Sequence, residues 1–441
     1  MTLLGGQPAR AEPPTPPPPG SSPFQEWIDN TIPAPQFPST APAAPAPQAP
    51  ADPGQTALWQ AILPSPTGDP VFDAWPPDLA AASPGQIIET RDVTTTAATL
   101  AAVPIQRALL IKFRSTSASG APSFGTATLL TPATPWTGPG PRPVEVNALP
   151  INSLGTHCTP GFQMSHGILE KPNTDLTVFL PSVWWALGQG HAVLLPDHEG
   201  PLMAYAEPNV AGHVILDSIR AARTVETDTF RDSRFVVSGY SGGGIAAYAT
   251  AMLLDEYAPE LAEVVVGVAA GGVVTDNRNV AHRFNGNISS GILLTVAQAV
   301  AREHPEILPY MNNLAQWVGS SPMKEICGDA SGPLGVVGFP MDVVANIGNP
   351  LDSPIADKTF QKLELSDRRS AVPLYIYHGA HDPWIPLADA EKTYRQQCSR
   401  GVPAVFRVVP GEHLIGYATG APELDNWILA RLRGEPAPSE C

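Results

Sequence analysis

The chain is poor in charge, in cysteine and in long apolar runs, and each shortage excludes something. Charged residues make up only 15% of the 441 positions, and acids outnumber bases 41 to 25, a formal charge of −16. Nucleic-acid binding depends on Lys and Arg neutralising phosphates, so no nucleic-acid partner is expected. The same balance argues against a polybasic grip on an anionic membrane. An acidic soluble surface accounts for the charge without any partner. No stretch approaches the 18 or so apolar residues that span a bilayer. The four cysteines are Cys158, Cys327, Cys398 and Cys441, with no CxxC and no short Cys/His cluster, so no metal site is expected. Their wide spacing fits two long-range disulfides in an oxidising compartment, with buried free thiols as the alternative.

Proline is plentiful instead. Of 52 prolines, 16 lie in the first 54 residues, in runs such as "PPTPPPPG" and "APAAPAPQAP". Residues 1–68 therefore read as a Pro/Ala-rich segment without a packed core, disordered or extended. The start, "MTLLGGQPARAEPP", lacks a charged region followed by a long apolar core. Its "ARA" reads either as the end of a shortened secretion signal or as part of an ordinary tail. From Asp69 onward the composition is globular, and 43% hydrophobic content over this length supports a sizeable core.

Gly85 to Pro132 contains β-rich runs broken by Gly, Ser and Pro ("IIETRDVTTTA", "IQRALLIKFRST", "FGTATLLTP"), expected to form opening antiparallel strands. Short apolar strands then alternate with helical patterns at 209–227, 244–257 and 388–397. That alternation predicts an α/β fold, a mainly parallel sheet with helices on both faces. Residues 276–369 interrupt it with helix formers and no clear strand. They are expected to be a helical cap inserted between core segments 69–275 and 370–441, over the strand ends where such sheets place ligands.

The most informative stretch is "RFVVSGYSGGGIAAYATAMLL", in which Gly239-x-Ser241-x-Gly243 joins a strand-like run to a helix-like one. A nucleophile elbow needs small neighbours, because its turn is tight enough to hold the hydroxyl above the sheet. By itself GxSxG is weak; the flanking strand and helix strengthen it. Neither a phosphate loop ending in Gly-Lys-Ser/Thr nor a G-x-G-x-x-G dinucleotide loop is present, and no cofactor is expected.

A serine needs a base, and the base needs an acid to fix its tautomer. In this class the chain order is serine, acid, histidine. "VPLYIYHGAHDPWIP" supplies Asp382 just after a strand-like run, and "AVFRVVPGEHLIG" supplies His413 after the next. His378 and His381 lie beside the acid, whereas the base belongs one strand later. Asp389 is a reserve acid within a helical pattern, expected to face solvent. In "DHEG", Asp197 and His198 resemble an acid/base pair but are read as a hydrogen-bonded turn. One oxyanion donor is expected to be the Gly242 amide, and the second to come from the loop after "VEVNALPI", at Asn152 with Ser153 beside it.

The blocks "GYSGGGIAAYATAMLLDEYAPEL", "LLPDHEGP", "VILDSIRAAR", "HGAHDPWIPLADAEKTYRQQCSRGV" and "EHLIG" resemble, in order, the secretory lipase family. The resemblance runs from about Trp75 to Gly434. It implies an α/β-hydrolase with a helical cap, acting on triacylglycerols and other carboxylic esters through an acyl-enzyme on Ser241, with Asp382 as acid and His413 as base. It implies pairings Cys158–Cys327 and Cys398–Cys441, secretion or a cell-envelope location, and transient contact with a lipid–water interface. The family commonly carries an acidic residue where this chain reads "NSLGTHC". The alternative within enzymes is a broad carboxylesterase or acyltransferase for short or unusual acyl groups. A non-catalytic binding protein is disfavoured because all three triad positions are intact.

Overall fold

The computed structural model describes residues 21–37, 49–168 and 173–441. A nine-stranded sheet runs through it: β1 Ile87–Asp92, β2 Ile105–Thr116, β3 Pro122–Pro132, β4 Val144–Ala148, β5 Ala192–Pro196, β6 Phe235–Tyr240, β7 Val265–Gly271, β8 Leu374–Gly379 and β9 Ala404–Val409. The order is β1-β2-β3-β5-β4-β6-β7-β8-β9. β1, β2, β3 and β5 pair antiparallel, and from β5 to β9 every pairing is parallel. The expected α/β-hydrolase architecture is therefore the one observed, including the antiparallel opening.

Side-chain period sorts the core into two layers. Val144, Val146, Phe235 and Val237 pack with helices Pro208–Val225 and Gly242–Tyr257 on one face. Val193, Leu195, Val236 and Tyr240 pack with helices Thr174–Gly188 and His413–Arg433 on the other. Strands covered on both faces need continuous apolar runs, and that is what the sequence carries. Connections from β4 lead to β5 on one side and then to β6 on the other. The reversal opens a crevice beyond the carboxyl ends of β4 and β6, the place where open α/β sheets bind ligands.

Between β7 and β8 the described residues form helices, including Asn277–Phe284, Ser290–Glu303, Asn313–Ser320 and Pro354–Leu363, and no strand. The N-terminal expectation needs correction. Pro23–Thr31 and Pro53–Ile62 are helices, capped by Ser22 and Asp52, with their prolines in the first turn where no amide is required. Gln25, Ile28, Trp59 and Ile62 are buried. The Gln25 amide donates to the Asp342 and Ile347 carbonyls, and the Trp59 indole to the Arg302 carbonyl at 2.9 Å. Apolar side chains at helical spacing thus anchor this proline-rich arm on the residues between β7 and β8. The rest of the 1–68 expectation, residues 1–20 and 38–48, lies outside the described residues.

Candidate active site

β6 ends at Tyr240, and Ser241 turns the chain with φ 55° and ψ −121° before the helix Gly242–Tyr257 begins. A non-glycine residue in that region is strained, and such strain persists only where surrounding structure enforces it. Here the Ser241 amide donates to the Gly271 carbonyl at 2.9 Å, and its carbonyl accepts from Ile245 at 3.0 Å. The glycines are required by close approach. A Cβ at Gly243 would lie 1.8 Å from the Ala148 oxygen, and one at Gly244 2.6 Å from the Gly271 oxygen. Gly244 lets the helix start against β7.

Asp382 follows β8 by three residues and His413 follows β9 by four. The His413 Nδ1 lies 2.6 Å from Asp382 Oδ2, with both side chains almost wholly buried. Asp382 Oδ1 accepts the amides of Trp384 and Ile385, each at 2.9 Å. Burial pushes this carboxyl up, but hydrogen bonds from His378, His413 and the Ile385 amide hold it well below the usual carboxylate range. Tyr240, the neighbour of Ser241, sets its ring 5.1 Å from the imidazole at a tilt of 47°, and its hydroxyl donates to the His413 carbonyl. Trp384 meets the imidazole edge-on at 5.1 Å. Asp382 and His413 thus meet directly, and β6 delivers Ser241 next to Tyr240, whose ring lies against the imidazole.

Gly242 and Asn152, expected to supply the oxyanion donors, lie side by side. Gly242 opens its helix, so its amide has no helical carbonyl to bond. Asn152, at φ 52°, brings its carboxamide oxygen to Gly242, where an added Cβ would lie 2.0 Å from it. The Asn152 loop is held from many directions. Its neighbour Ser153 donates its amide to Glu199 at 3.4 Å and accepts the Gly328 amide at 3.0 Å. Leu154 donates to Ile326 at 2.9 Å, and Cys158 is bonded to Cys327. The second disulfide is Cys398–Cys441.

Arg302, which the sequence analysis passed over, completes that bracing. Fully buried, its guanidinium donates to five carbonyls: Ile62, Leu154, Leu202, Met203 and Lys324. Burial pulls its pKa down to about 9. An arginine within a helical pattern ordinarily lies on a solvated face, so no local signal marks this one.

The remaining residues are structural or peripheral. His198 Nε2 donates to the Leu149 carbonyl at 2.9 Å, and burial lowers its pKa to about 4. Asp197 accepts from the Thr126 hydroxyl and, at 2.7 Å, the Gly161 amide; burial raises it to about 7. His381 is exposed. Asp389, expected at the surface, is instead buried and accepts the Asn279 amide at 2.8 Å. Beside Gly242 opens an apolar cavity of about 240 Å³, lined by Tyr205 and Ile245 and then by Val280, Phe284, Leu293 and Leu351.

The secretory lipase family matches residues 173–440, more than half of the chain. The matched region holds Ser241, Asp382 and His413 but not Asn152. Lipase 10 of Candida albicans is 29% identical over 397 residues, 84% of this chain and 82% of that protein. The secreted triacylglycerol lipase LIP5 of Malassezia globosa is 27% identical over 375 residues, covering 81% and 77%. The structure of Candida antarctica lipase A in its closed state superposes with a TM-score of 0.74 at 22% identity, over 86% of this chain and 90% of that one. At that identity the likeness concerns the fold.

Proposed function

The chain belongs to the secretory lipase family, and from that premise we propose that it is a secreted triacylglycerol lipase working through a Ser241–His413–Asp382 triad. His413 takes the Ser241 proton as the oxygen attacks an ester carbonyl, forming a tetrahedral oxyanion. The Gly242 amide and a donor from the Asn152 loop stabilise that charge. His413 then protonates the departing alcohol, leaving an acyl-serine. Water attacks the acyl-serine with His413 again as base, freeing the acid and the serine. Asp382 fixes the imidazole tautomer and stabilises its cation. The observation that carries this reading is the 2.6 Å contact from Asp382 to His413, beside a serine held at positive φ.

Residues 276–369 serve as the cap, and the apolar cavity beneath them takes the acyl chain away from water. Val336, Val337 and Phe339 are exposed, and Gly335 and Gly338 of the same turn pack on the segment carrying exposed Ile288. Arg283 bonds Pro383 beside Trp384, and Leu414 and Ile415 are exposed next to His413. These apolar side chains suit transient contact with a lipid surface. Two disulfides and the names of the relatives support a secreted protein.

A fluorophosphonate probe tests the nucleophile. Intact-mass analysis should show one adduct on the wild type and none on Ser241→Ala; an adduct that persists in the variant overturns the assignment. Emulsified long-chain triglyceride should be hydrolysed alongside soluble short-chain esters. Activity confined to the latter would replace the lipase reading with a carboxylesterase.

A further inference from the structure

The acid of the site touches a second histidine. His378, the fifth residue of β8, has a fully buried ring whose Nε2 lies 2.9 Å from the Ile385 carbonyl and 3.4 Å from Asp382 Oδ2. Its Nδ1 is buried and has no hydrogen-bond partner among the described residues. Both acceptors face Nε2 and none faces Nδ1, so the ring proton sits on Nε2 and is shared between the carbonyl and the carboxylate. A ring needed only to fill space would do so better as a phenyl, without leaving a nitrogen unpaired in the core.

We propose that His378 is a positioning residue: its Nε2–H clamps Asp382 from the β8 side so that Oδ2 stays aimed at His413. This rests on reading Asp382 as the acid of the triad. The clamp has a definite geometry. Asp382 Oδ1 is occupied by the two amides of its own turn, which fix one edge of the carboxylate. Oδ2 is then shared between His413 and His378. His378 sits in a strand paired on both sides, so it cannot follow the imidazole through the proton transfers. With no opening to solvent, it is not placed to exchange protons with substrate.

The other groups around this pair are few. Tyr240 faces His413 from β6, Asp389 faces His378 from the helix Leu387–Ser399, and Glu412 precedes His413. None of them donates to Oδ2. Removing the His378 proton therefore leaves the Oδ2 charge to His413 alone, which favours the imidazolium and moves the acid limb of the rate profile upward. A space-filling role would leave that limb in place.

The test uses His378→Phe, which keeps the volume and deletes the donor, His378→Gln, whose amide reaches the Nε2 position, and His378→Asn, whose amide stops short. Steady-state hydrolysis of a soluble short-chain ester is followed against pH, with thermal melts as the folding control. His378→Phe should lower the plateau kcat about 10- to 100-fold, as expected for losing a hydrogen bond to a charged group. KM should change by less than about twofold and the acid limb should rise by about half a pH unit. His378→Gln should return to within about threefold of wild type and His378→Asn should not, a contrast that decides the matter if the Phe variant does not fold. A folded Phe variant with wild-type kcat and acid limb, or equal rates in Gln and Asn, overturns the proposal. Failure of the wild type to label at Ser241 would instead overturn the triad reading beneath it.

Discussion

The loop carrying Asp382 and the loop carrying Asn152 lie at the same rim of one sheet, yet they are held in opposite ways. Asp382 is fixed by near neighbours: amides two and three residues on, and His378 four residues back. The Asn152 loop is fixed from afar, by Glu199, by Ile326 and Gly328, by the Cys158–Cys327 bond, and by Arg302. Through Arg302 it is also tied to Ile62 of the N-terminal arm. Local fixation makes a device that works wherever the sheet forms. Distant fixation makes the Asn152 loop depend on the residues between β7 and β8 and on the arm being folded as well. Chemistry and stability should therefore separate when the two loops are damaged.

The largest effect is expected at the local device. Asp382→Asn keeps an oxygen for the amides of Trp384 and Ile385 but deprives His413 of its anion and presents the wrong partner to Nδ1. A fall in kcat on the order of 10³- to 10⁴-fold is expected, with KM little changed and a melting curve close to wild type. A variant that instead melts early with only modest loss of rate would erase the distinction between the loops.

Arg302→Met should reverse that pattern. It removes a charge that burial already disfavours, but strands five carbonyls in the interior, and buried acceptors without donors cost about 1–3 kcal/mol each before relaxation. A net loss of about 3 kcal/mol in unfolding free energy is expected, read by denaturant titration. Rate per folded molecule should fall less than in Asp382→Asn, because the triad is untouched and only the Asn152 loop is loosened. If Arg302→Met is as stable as wild type, the loop is held by its disulfide and the Arg302 contacts are incidental.

The same contrast explains what was legible in the sequence. Asp382 and His413 announced themselves because strand, turn and helix signals are local, and the order of β6, β8 and β9 follows from them. The α/β-hydrolase sheet was legible for the same reason, through apolar runs covered on both faces. Arg302, His378 and the N-terminal helices were not legible. Arg302 looks like any helical surface cation, and its five acceptors come from four separate stretches of chain. His378 sits beside the acid, but only the burial of its ring and the direction of Nε2 give it a role. In the arm, proline content outweighed the helical spacing of Leu58, Trp59 and Ile62, although prolines in a first turn do not oppose a helix. Asp389 was misplaced because its partner, Asn279, belongs to a helix 110 residues away.

The smallest effect probes the scaffold beneath the two loops through pH. Glu145 lies in β4, the strand that feeds the Asn152 loop, wholly buried, with the Ser238 hydroxyl at 3.3 Å. Burial, aided by the nearby Asp425 carboxylate, raises its pKa to about 8. Below the ordinary Glu pKa both folded and unfolded chains hold this proton, so it gives no pH slope. Between there and about pH 8 the unfolded chain releases the proton while the folded chain keeps it, so stability falls as pH rises. Asp382 acts in the opposite sense: its depressed pKa contributes stability above the unfolded value that is lost as acid protonates the folded carboxylate. Glu145→Gln should therefore flatten the alkaline slope, leaving the part that Asp197 and Glu303, both raised to about 7 by burial, contribute, and leave the acid one. Measured as unfolding free energy at the two pH values, it should be more stable than wild type at pH 8 and little changed near pH 4.5. An equal change at both would mean that Glu145 is ionised in the fold, and that the alkaline slope lies with other buried carboxyls such as Asp197.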